Sequence, residues 1–336
     1  MDKMRLGRTG IMASRSGFGA IPIQRIGAAE STALLRKARE GGINFFDTAR
    51  GYTDSEEKIG LALSDLRKEL FLATKTPAQD GVALVADLEL SLKSLRTDYI
   101  DVYQLHNPAF VPKPGDGTGL YEALAEAKRA GKVRFLGITN HSLAVAREAL
   151  ESGLYDTLQF PFSSLSSAED LELAREAREK DVGFIAMKAL SGGLITNAAS
   201  AFAFIRSHEG VLPIWGIERE AQLDEFLALE ASPPVLDDAM RVLIERDRAE
   251  LSGSFCRGCG YCLPCPAGIE ISMAARMTYL MRRSRFELFV TPEWRAKMEL
   301  IEKCTGCGGC RKKCPYGLDT PALLKTQLAG YRELAR

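Results

Sequence analysis

Residues 42–63 read GINFFDTARGYTDSEEKIGLAL and contain one strand signal followed by one helix signal. The run INFFDT is rich in aromatic and branched residues, as buried strands are, whereas SEEKIGLALSDL carries apolar residues at helical spacing. A polar loop containing a glycine separates the two runs. The stretch therefore predicts one βα unit.

The same alternation recurs along most of the chain. Its strand-like runs are SGFGAI, INFFDT, LFLATKT, YIDVYQLH, VRFLGIT, LQFPF, GFIAMKAL and VLPIWG. Helical stretches between them include GVALVADLELSLKSL, LYEALAEAKRAG, SLAVAREALESG and DLELAREAREKD. Eight strand runs favour an α/β fold of the closed (β/α)₈ TIM-barrel type over an open doubly wound sheet.

The length of 336 residues, of which 46% are hydrophobic, suits one large domain and one small one. The stretch ASPPV, residues 231–235, carries two prolines after the last βα unit and marks a boundary. We predict a barrel over 1–235 and a small helical domain over 236–336. In the latter, LDDAMRVLIERDRAEL precedes a first group of cysteines, and ISMAARMTYLMRRSRFELF separates it from a second.

Charge and hydropathy limit the classes of binding partner that the sequence predicts. The 44 basic and 44 acidic side chains balance without long runs of one sign, so neither nucleic acid nor a membrane surface is an expected partner. The start MDKMRLGRTG lacks the apolar core of a signal peptide, and no apolar stretch has the length of a membrane span. We expect a cytoplasmic protein.

Ionisable side chains stand at the ends of successive predicted strands, where TIM barrels carry their chemistry. Asp47 ends INFFD, Tyr52 follows in its loop, Lys75 ends FLATK and His106 ends YIDVYQLH. A tyrosine titrates near pH ~10, so a neighbouring ammonium is needed to stabilise its phenolate. We expect Lys75 to supply that charge, Asp47 to pair with Lys75, and His106 to orient a carbonyl oxygen or join the proton relay. Taken singly, each residue would be a strand-end ion pair or a turn residue.

Together, the four residues resemble the catalytic tetrad of the aldo-keto reductase superfamily. GINFFDTARGYTDSEEKIGLAL is similar to the family's Asp-Thr-Ala segment with its following tyrosine, GITNHS to its Gly-Val-Ser-Asn stretch and LQF to its Val-Gln strand. The resemblance covers about residues 4 to 230. It implies that NADP or NAD binds over the barrel mouth, and that a small carbonyl or alcohol is the substrate, with Tyr52 as the proton donor.

The resemblance also implies which residues hold the cofactor. Thr139, Asn140 and Gln159 would hold the nicotinamide carboxamide, while Gly192 and Gly193 would let backbone amides approach the pyrophosphate. For Asn140 the alternative is a turn residue, and for Gln159 a hydrogen-bonded side chain of a barrel layer. The other implied positions are Gly19, Ala20, Asp47, Met187, Leu190, Gly216, Gln222 and Glu225.

Three positions depart from the family pattern. Met187 stands where the family usually has a tyrosine that stacks on the nicotinamide. Gln222 replaces the basic residue that binds the 2′-phosphate in NADP-preferring members, and Phe226 replaces the usual adenine-contacting asparagine. The choice between NAD and NADP is therefore open.

All eight cysteines lie between Cys256 and Cys314, in two runs that each end in Cys-Pro. The second run has the bacterial ferredoxin spacing, in which the last cysteine ligates the other cluster. This pattern predicts two [4Fe–4S] clusters, one held by Cys256, Cys259, Cys262 and Cys314, the other by Cys304, Cys307, Cys310 and Cys265. A shorter final gap in the first run leaves open that Cys265 stays on its own cluster. Zinc is the alternative metal, because Cys₄ zinc sites also use two-residue gaps.

The leading hypothesis is an NAD(P)H-dependent aldo-keto reductase with an appended helical, ferredoxin-like domain, a subgroup that the whole chain resembles. The alternative is an electron-transfer or redox-sensing iron–sulfur protein that uses the barrel as a scaffold. The intact tetrad favours the enzyme. A ferredoxin or flavodoxin is the candidate electron carrier in case the clusters are redox-active, and the clusters would otherwise be structural.

Overall fold

The computed structural model describes residues 1–251 and 255–336, which form two compact units. The first unit comprises Met1–Ala189 and Ala198–Met240, and the second comprises Leu190–Asn197 and Arg241–Arg336. The sequence predicts two contiguous domains that meet at 235/236. The structure differs from this prediction, because the internal segment Leu190–Asn197 belongs to the second unit. Two arginines of that unit account for this, since they bind backbone carbonyls of the segment.

The first unit contains a closed barrel of eight parallel strands, as predicted. A two-stranded antiparallel sheet of β1 (Lys3–Arg5) and β2 (Met12–Ser14), which the sequence analysis did not identify, precedes it. The barrel strands are β3 (Gly17–Gly19), β4 (Phe45–Asp47), β5 (Phe71–Thr76), β6 (Ile100–His106), β7 (Val133–Thr139), β8 (Thr157–Pro161), β9 (Gly183–Met187) and β10 (Val211–Gly216). Strands adjacent in sequence pair in parallel, and β10 closes the barrel on β3.

Helices connect the barrel strands. They are α1 (Ala28–Glu40), α2 (Ser55–Leu63), α3 (Gly81–Leu95), α4 (Leu120–Arg129), α5 (Leu143–Ser152), α6 (Ala168–Glu179), α7 (Ala198–Arg206) and α8 (Glu220–Ala231). Helices α2 to α6 lie where the sequence periodicity predicts them, whereas α1, α7 and α8 were not identified in advance. Short 3₁₀ segments occur at Gly7–Thr9, Pro22–Arg25 and Ser64–Glu69.

An apolar cluster fills the barrel interior. Leu6 and Ile11, from the connection between β1 and β2, pack with Phe45, Val102 and other strand residues, and these four are at most 2% exposed. The polar side chains Asp47, Lys75 and Thr139 occupy the last or nearly last positions of their strands. The fold therefore places polar chemistry at the C-terminal ends of the strands, as in other TIM barrels.

The second unit is helical, as predicted. It contains α9 (Asp238–Glu250) from Arg241 onward, α10 (Ile271–Ala274), α11 (Met277–Arg283), α12 (Pro292–Glu299), α13 (Gly309–Lys312) and α14 (Thr320–Leu334), with 3₁₀ segments at Phe286–Leu288 and Leu300–Lys303. The stretch ISMAARMTYLMRRSRFELF forms several short helices, because the backbone leaves helical geometry at Arg276, where φ is −141°. Among the described helices, none is both long and apolar enough to span a bilayer.

Candidate functional site

The centre of the candidate site is a buried ion pair between adjacent strands. Lys75 Nζ on β5 donates to Asp47 Oδ1 on β4 over 2.6 Å, and also to the backbone carbonyl of Thr48 over 2.6 Å. The Lys75 and Asp47 side chains are 1% and 3% exposed. Strand register explains the contact, because Asp47 pairs with Ala73, which places Lys75 just beyond it toward the barrel mouth.

Burial of the ion pair and the attraction between its charges shift the pKa values of Asp47 and Lys75 in opposite directions. Burial raises the pKa of Asp47 and lowers the pKa of Lys75, because loss of hydration disfavours both charges. The attraction between the two groups opposes both pKa shifts, and hydrogen bonds from Gln159 and Gln104 oppose the shift of Asp47. The site can therefore hold an ammonium group in a position with little water.

Tyr52 and His106 lie beside the ion pair. The Tyr52 ring centroid is 5.2 Å from Lys75 Nζ, and the Tyr52 and His106 rings meet edge to face with centroids 5.7 Å apart. Burial, with a smaller contribution from the Lys75 charge, lowers the pKa of His106 to about 3. His106 is therefore neutral at physiological pH. The structure brings all four predicted tetrad residues together.

The residues predicted to hold the carboxamide lie at the same end of the barrel. Thr139 pairs in register with His106 on one side and with Gln159 on the other. Thr139, Asn140 and Gln159 are at most 2% exposed. Hydroxyl and amide groups at this level match the donors and acceptors of a carboxamide. The donor set thus fits a nicotinamide beside the tetrad.

Asn140 and Gln159 also make hydrogen bonds within the protein. Asn140 Nδ2 donates to the carbonyl of Pro108 over 2.8 Å, and its Oδ1 accepts from the backbone N–H of Ser142 over 2.8 Å. This is the turn role that the sequence left as the alternative for Asn140. Gln159 likewise joins a layer of hydrogen bonds inside the barrel. A cofactor role for either residue stays a prediction.

Gln104 is a site residue that the sequence analysis did not single out. It is fully buried on β6, and its Nε2 donates to Asp47 Oδ2 over 3.3 Å and to Gln159 Oε1 over 2.9 Å. A signal was available, because Gln104 lies two residues before His106 and so faces the same side of the strand. A polar residue on an inward-facing position of a barrel strand is an indication of function.

Four further predicted cofactor residues lie at strand ends of the barrel. Gly19 pairs with Asp47 and with Gly216, so the three occupy one level of the sheet. The Ala20 N–H donates to the carbonyl of Asp47 over 2.8 Å. Met187 ends β9 in register with Pro161, and its side chain is partly buried. Their positions agree with a site at this end of the barrel.

Helix α8 carries two of the predicted cofactor residues, Gln222 and Glu225. Gln222 Oε1 accepts from the backbone N–H groups of Glu218 and Arg219, both over 3.1 Å, so this side chain caps the helix. Glu225 is exposed. Phe226 is buried and stacks on Trp215 with ring centroids 4.4 Å apart. Trp215, 1% exposed, is therefore a packing residue.

The predicted pyrophosphate residues Leu190, Gly192 and Gly193 belong to the second unit. Gly192 and Gly193 have φ of +68° and +91°, which glycine adopts without strain. Arg276 Nη1 donates to the Gly192 carbonyl over 2.7 Å, and Arg283 Nη1 donates to the Leu194 carbonyl over 2.9 Å. The segment is therefore fastened within the second unit by two cationic side chains.

The eight cysteines of the second unit line two cavities. The first cavity is lined by Cys256, Cys259, Cys262 and Cys314. The second is lined by Cys265, Cys304, Cys307 and Cys310, and Cys262 also borders it. The last cysteine of each run thus lines the cavity bordered by the other run, while the crossed ligation of two clusters stays a prediction.

The thiols of the first cavity are close enough to influence each other. Burial, together with Cys256 and Cys259, raises the pKa of Cys262 to about 12. Gathering several thiolates in one partly buried place is unfavourable unless a cation neutralises them, and iron supplies that charge. The donor set and its grouping therefore fit iron–sulfur clusters.

Comparison with known proteins agrees with both halves of this description. Residues 15–209 match the aldo/keto reductase family, and residues 255–319 match the 4Fe-4S dicluster domain. Aldo-keto reductase YhdN of Bacillus subtilis is 31% identical over 215 residues, which is 58% of this chain and 64% of YhdN. The NADH-specific methylglyoxal reductase of Escherichia coli is 31% identical over 227 residues, covering 58% of this chain and 69% of that protein.

Solved structures show the same fold. An aldo-keto reductase from Klebsiella pneumoniae in complex with NADPH superposes with a TM-score of 0.63 at 22% identity, over 73% of this chain and 94% of that one. The chain spans slightly less than two thirds of the length of YhdN. With more than half of its residues matching the family, the chain belongs to the aldo/keto reductase family and carries a 4Fe–4S dicluster domain after its barrel.

Proposed function

We propose that the protein reduces a small carbonyl compound with NADH or NADPH, and can run the reverse oxidation of the alcohol. The observation that carries this proposal is the buried Asp47–Lys75 ion pair with the Tyr52 ring beside the ammonium. A structural ion pair alone would need neither the adjacent phenol nor a neutral imidazole. Family membership and the E. coli relative, whose name specifies NADH and methylglyoxal, support a nicotinamide cofactor and a small carbonyl substrate.

When bound, the nicotinamide supplies the hydride. The residues of the chain supply the proton and the orientation. Tyr52 donates its phenolic proton to the carbonyl oxygen, and the Lys75 charge stabilises the phenolate that remains. Asp47 keeps Lys75 protonated and in place, and neutral His106 can donate a hydrogen bond to the same oxygen from its protonated ring nitrogen.

Thr139, Asn140 and Gln159 would hold the carboxamide, with Asp47, Gly19, Ala20, Met187 and Gly216 lining the nicotinamide end. For the pyrophosphate we propose Leu190, Gly192 and Gly193, and for the adenosine end Gln222 and Glu225. Position 222 is a glutamine that caps α8, so it offers no positive charge to a 2′-phosphate. This arrangement is compatible with NADH as well as NADPH.

We further propose that the second unit binds two [4Fe–4S] clusters through the crossed sets of four cysteines. The grouping of the eight thiols around two cavities supports this assignment. The enzyme role is favoured over a scaffold role for the barrel, because a scaffold would not require a buried, paired lysine beside a tyrosine.

The test is an anaerobic screen of aldehydes and ketones with NADH and with NADPH, run on the wild type and on Tyr52→Phe. We expect turnover of at least one carbonyl by the wild type, and a loss of at least roughly 100-fold in Tyr52→Phe, because the proton donor is removed. Cofactor affinity should stay unchanged in the variant. Turnover that survives this substitution would contradict the assigned role of Tyr52.

A further inference from the structure

Gln104 connects three strands of the barrel through one side chain. From β6, its Nε2 donates to Asp47 Oδ2 on β4 over 3.3 Å and to Gln159 Oε1 on β8 over 2.9 Å. These are alternate strands, whose inward side chains form one layer in a TIM barrel. Gln104 is 0% exposed, so no water competes for these hydrogen bonds.

The Asp47 carboxylate determines the orientation of the side-chain amides of Gln104 and Gln159. A carboxylate only accepts hydrogen bonds, so the amide atoms that face it must be nitrogens. Gln159 accordingly points its Nε2 toward Asp47 Oδ1 at 3.5 Å and offers its Oε1 to Gln104. Neither of these contacts uses the second N–H of Gln159, which can therefore donate to a bound carbonyl oxygen.

The neighbouring strand leaves room for Gln104. A Cβ atom at Gly137 on β7 would lie 2.7 Å from Gln104 Cγ and 2.5 Å from Thr157 Oγ1. Contacts that short do not occur, so any side chain at position 137 would displace Gln104 or Thr157. The barrel interior is thus shaped around the Gln104 side chain at this level.

We propose that Gln104 is a positioning residue of the reductase site, which holds the Asp47 carboxylate toward Lys75 and the Gln159 amide toward the nicotinamide carboxamide. This inference rests on the proposed function and deepens it. Gln104 acts through its two partners and touches neither substrate nor cofactor. Without it, a buried carboxylate loses one of its donors and Gln159 loses the bond that fixes its orientation.

The consequence for pH follows from the groups around Asp47. Lys75 on β5 contacts the carboxylate, Tyr52 and His106 lie next to Lys75, and Glu56 on α2 adds a further charge near it. The hydrogen bond from Gln104 favours the ionised form of Asp47. Its loss raises the pKa of Asp47, so the acidic limb of the activity profile should move to higher pH.

The test compares Gln104→Met with the wild type. Methionine has a similar volume but donates no hydrogen bond, so we expect kcat/KM to fall roughly 10- to 100-fold. Affinity for NADH or NADPH, measured by quenching of protein fluorescence, should fall in the same variant. Tyr103→Phe is the matched control, because Tyr103 directly precedes Gln104 on β6 and faces the opposite side of the strand. Wild-type kcat/KM, cofactor affinity and pH profile in Gln104→Met would overturn the proposal.

Gln104→Glu provides a rescue that a purely structural role would not show. A protonated glutamic acid can donate one hydrogen bond, whereas an ionised one repels Asp47. Cofactor affinity of Gln104→Glu should therefore rise toward the wild-type value as the pH is lowered from 8 to roughly 5. An affinity that is independent of pH would overturn the proposal, and this variant decides the matter should Gln104→Met fail to fold.

One outcome separates this inference from the proposed function. A wild type that binds the nicotinamide but reduces no carbonyl refutes the proposed reaction, while the Gln104 variants still test the positioning role by affinity. A cofactor-free measurement is also accessible. In pH-difference infrared spectra, the protonated carboxyl band assigned with Asp47→Asn should appear at higher pH in Gln104→Met than in the wild type, and an unchanged midpoint contradicts the proposal.

Discussion

At the residue scale, the candidate site is a set of ionisable groups that determine each other's charge. Asp47 and Lys75 are both buried, and removing one partner of such a pair costs about 3–5 kcal/mol because the other charge remains without compensation. A substitution at either residue therefore damages both stability and chemistry. Tyr52 is different, since replacing it with phenylalanine leaves the ion pair intact. This is why Tyr52→Phe is the sharper test of the reaction.

His106 gives a prediction about pH. Its pKa of about 3 in the folded protein lies below the ordinary value of 6.5, so between these pH values the unfolded chain binds more protons. The free energy of unfolding therefore falls as the pH is lowered from 6.5 toward 3, and by pH 5 this residue alone removes about 2 kcal/mol. Burial also lowers the pKa of His141, so this residue too decreases the free energy of unfolding as the pH falls.

The measurement is proton NMR of the imidazole C–H resonances, with the His106 signal assigned by its disappearance in His106→Gln. We expect this signal to keep its neutral-form shift from pH 8 down to 5. In denaturant the same signal should titrate near its ordinary value, which serves as the control. A midpoint near 6.5 in the folded protein would show that His106 is not desolvated.

At the element scale, arginine side chains bind backbone carbonyls in the connection after β9. β9 ends at Met187, and the next residue, Lys188, has φ of +59°, outside strand geometry. In the second unit, Arg276 donates to the Gly192 carbonyl and its guanidinium lies 2.8 Å from where a Cβ of Gly258 would stand. Gly258 lies between Cys256 and Cys259. One side chain thus contacts both the glycine segment and the first cysteine run.

Arg276→Ala should loosen residues 190–197. The charge-assisted bond to Gly192 is worth about 1.5–3 kcal/mol, so local opening should become roughly 10- to 100-fold more frequent. Hydrogen–deuterium exchange of peptides covering this segment measures the change, with barrel peptides as the internal reference. Arg282→Ala, an exposed arginine on α11, is the matched control. Unchanged exchange of the segment would mean that Arg276 does not hold it.

At the scale of the whole molecule, the chain combines a barrel with a cysteine-rich helical unit whose core is limited. The helices α10 and α13 are four residues each, too short to be stable alone. Small units of this kind depend on bound metal for much of their folding free energy. The second unit should therefore be stable only with its clusters in place.

Protein purified without oxygen should be brown and contain about eight iron atoms per chain. Cys310→Ser should retain about four, because Cys310 lines only the second cavity, and the second unit should melt at a lower temperature. Lys312→Ala, an exposed neighbour on α13, should keep the full iron content. Stoichiometric zinc in colourless protein would refute the cluster assignment.

Much of this protein is readable from its sequence because the signals are local. Strand and helix periodicity predicts the eight barrel strands, and the rule that chemistry lies at strand ends points to Asp47, Lys75 and His106. The cysteine spacing likewise predicts the grouping later found around the two cavities. Each of these signals is contained within a few consecutive residues, so no knowledge of distant contacts is needed.

Other features were decided only by the tertiary structure. Gln104 meets Asp47 and Gln159 across the interior of the barrel, which depends on strand register and on closure between β3 and β10. The assignment of residues 190–197 to the second unit depends on hydrogen bonds from arginines more than 80 positions later in the chain. Such contacts join residues far apart in sequence, and their partners are determined by packing of the folded chain, which local periodicity does not encode.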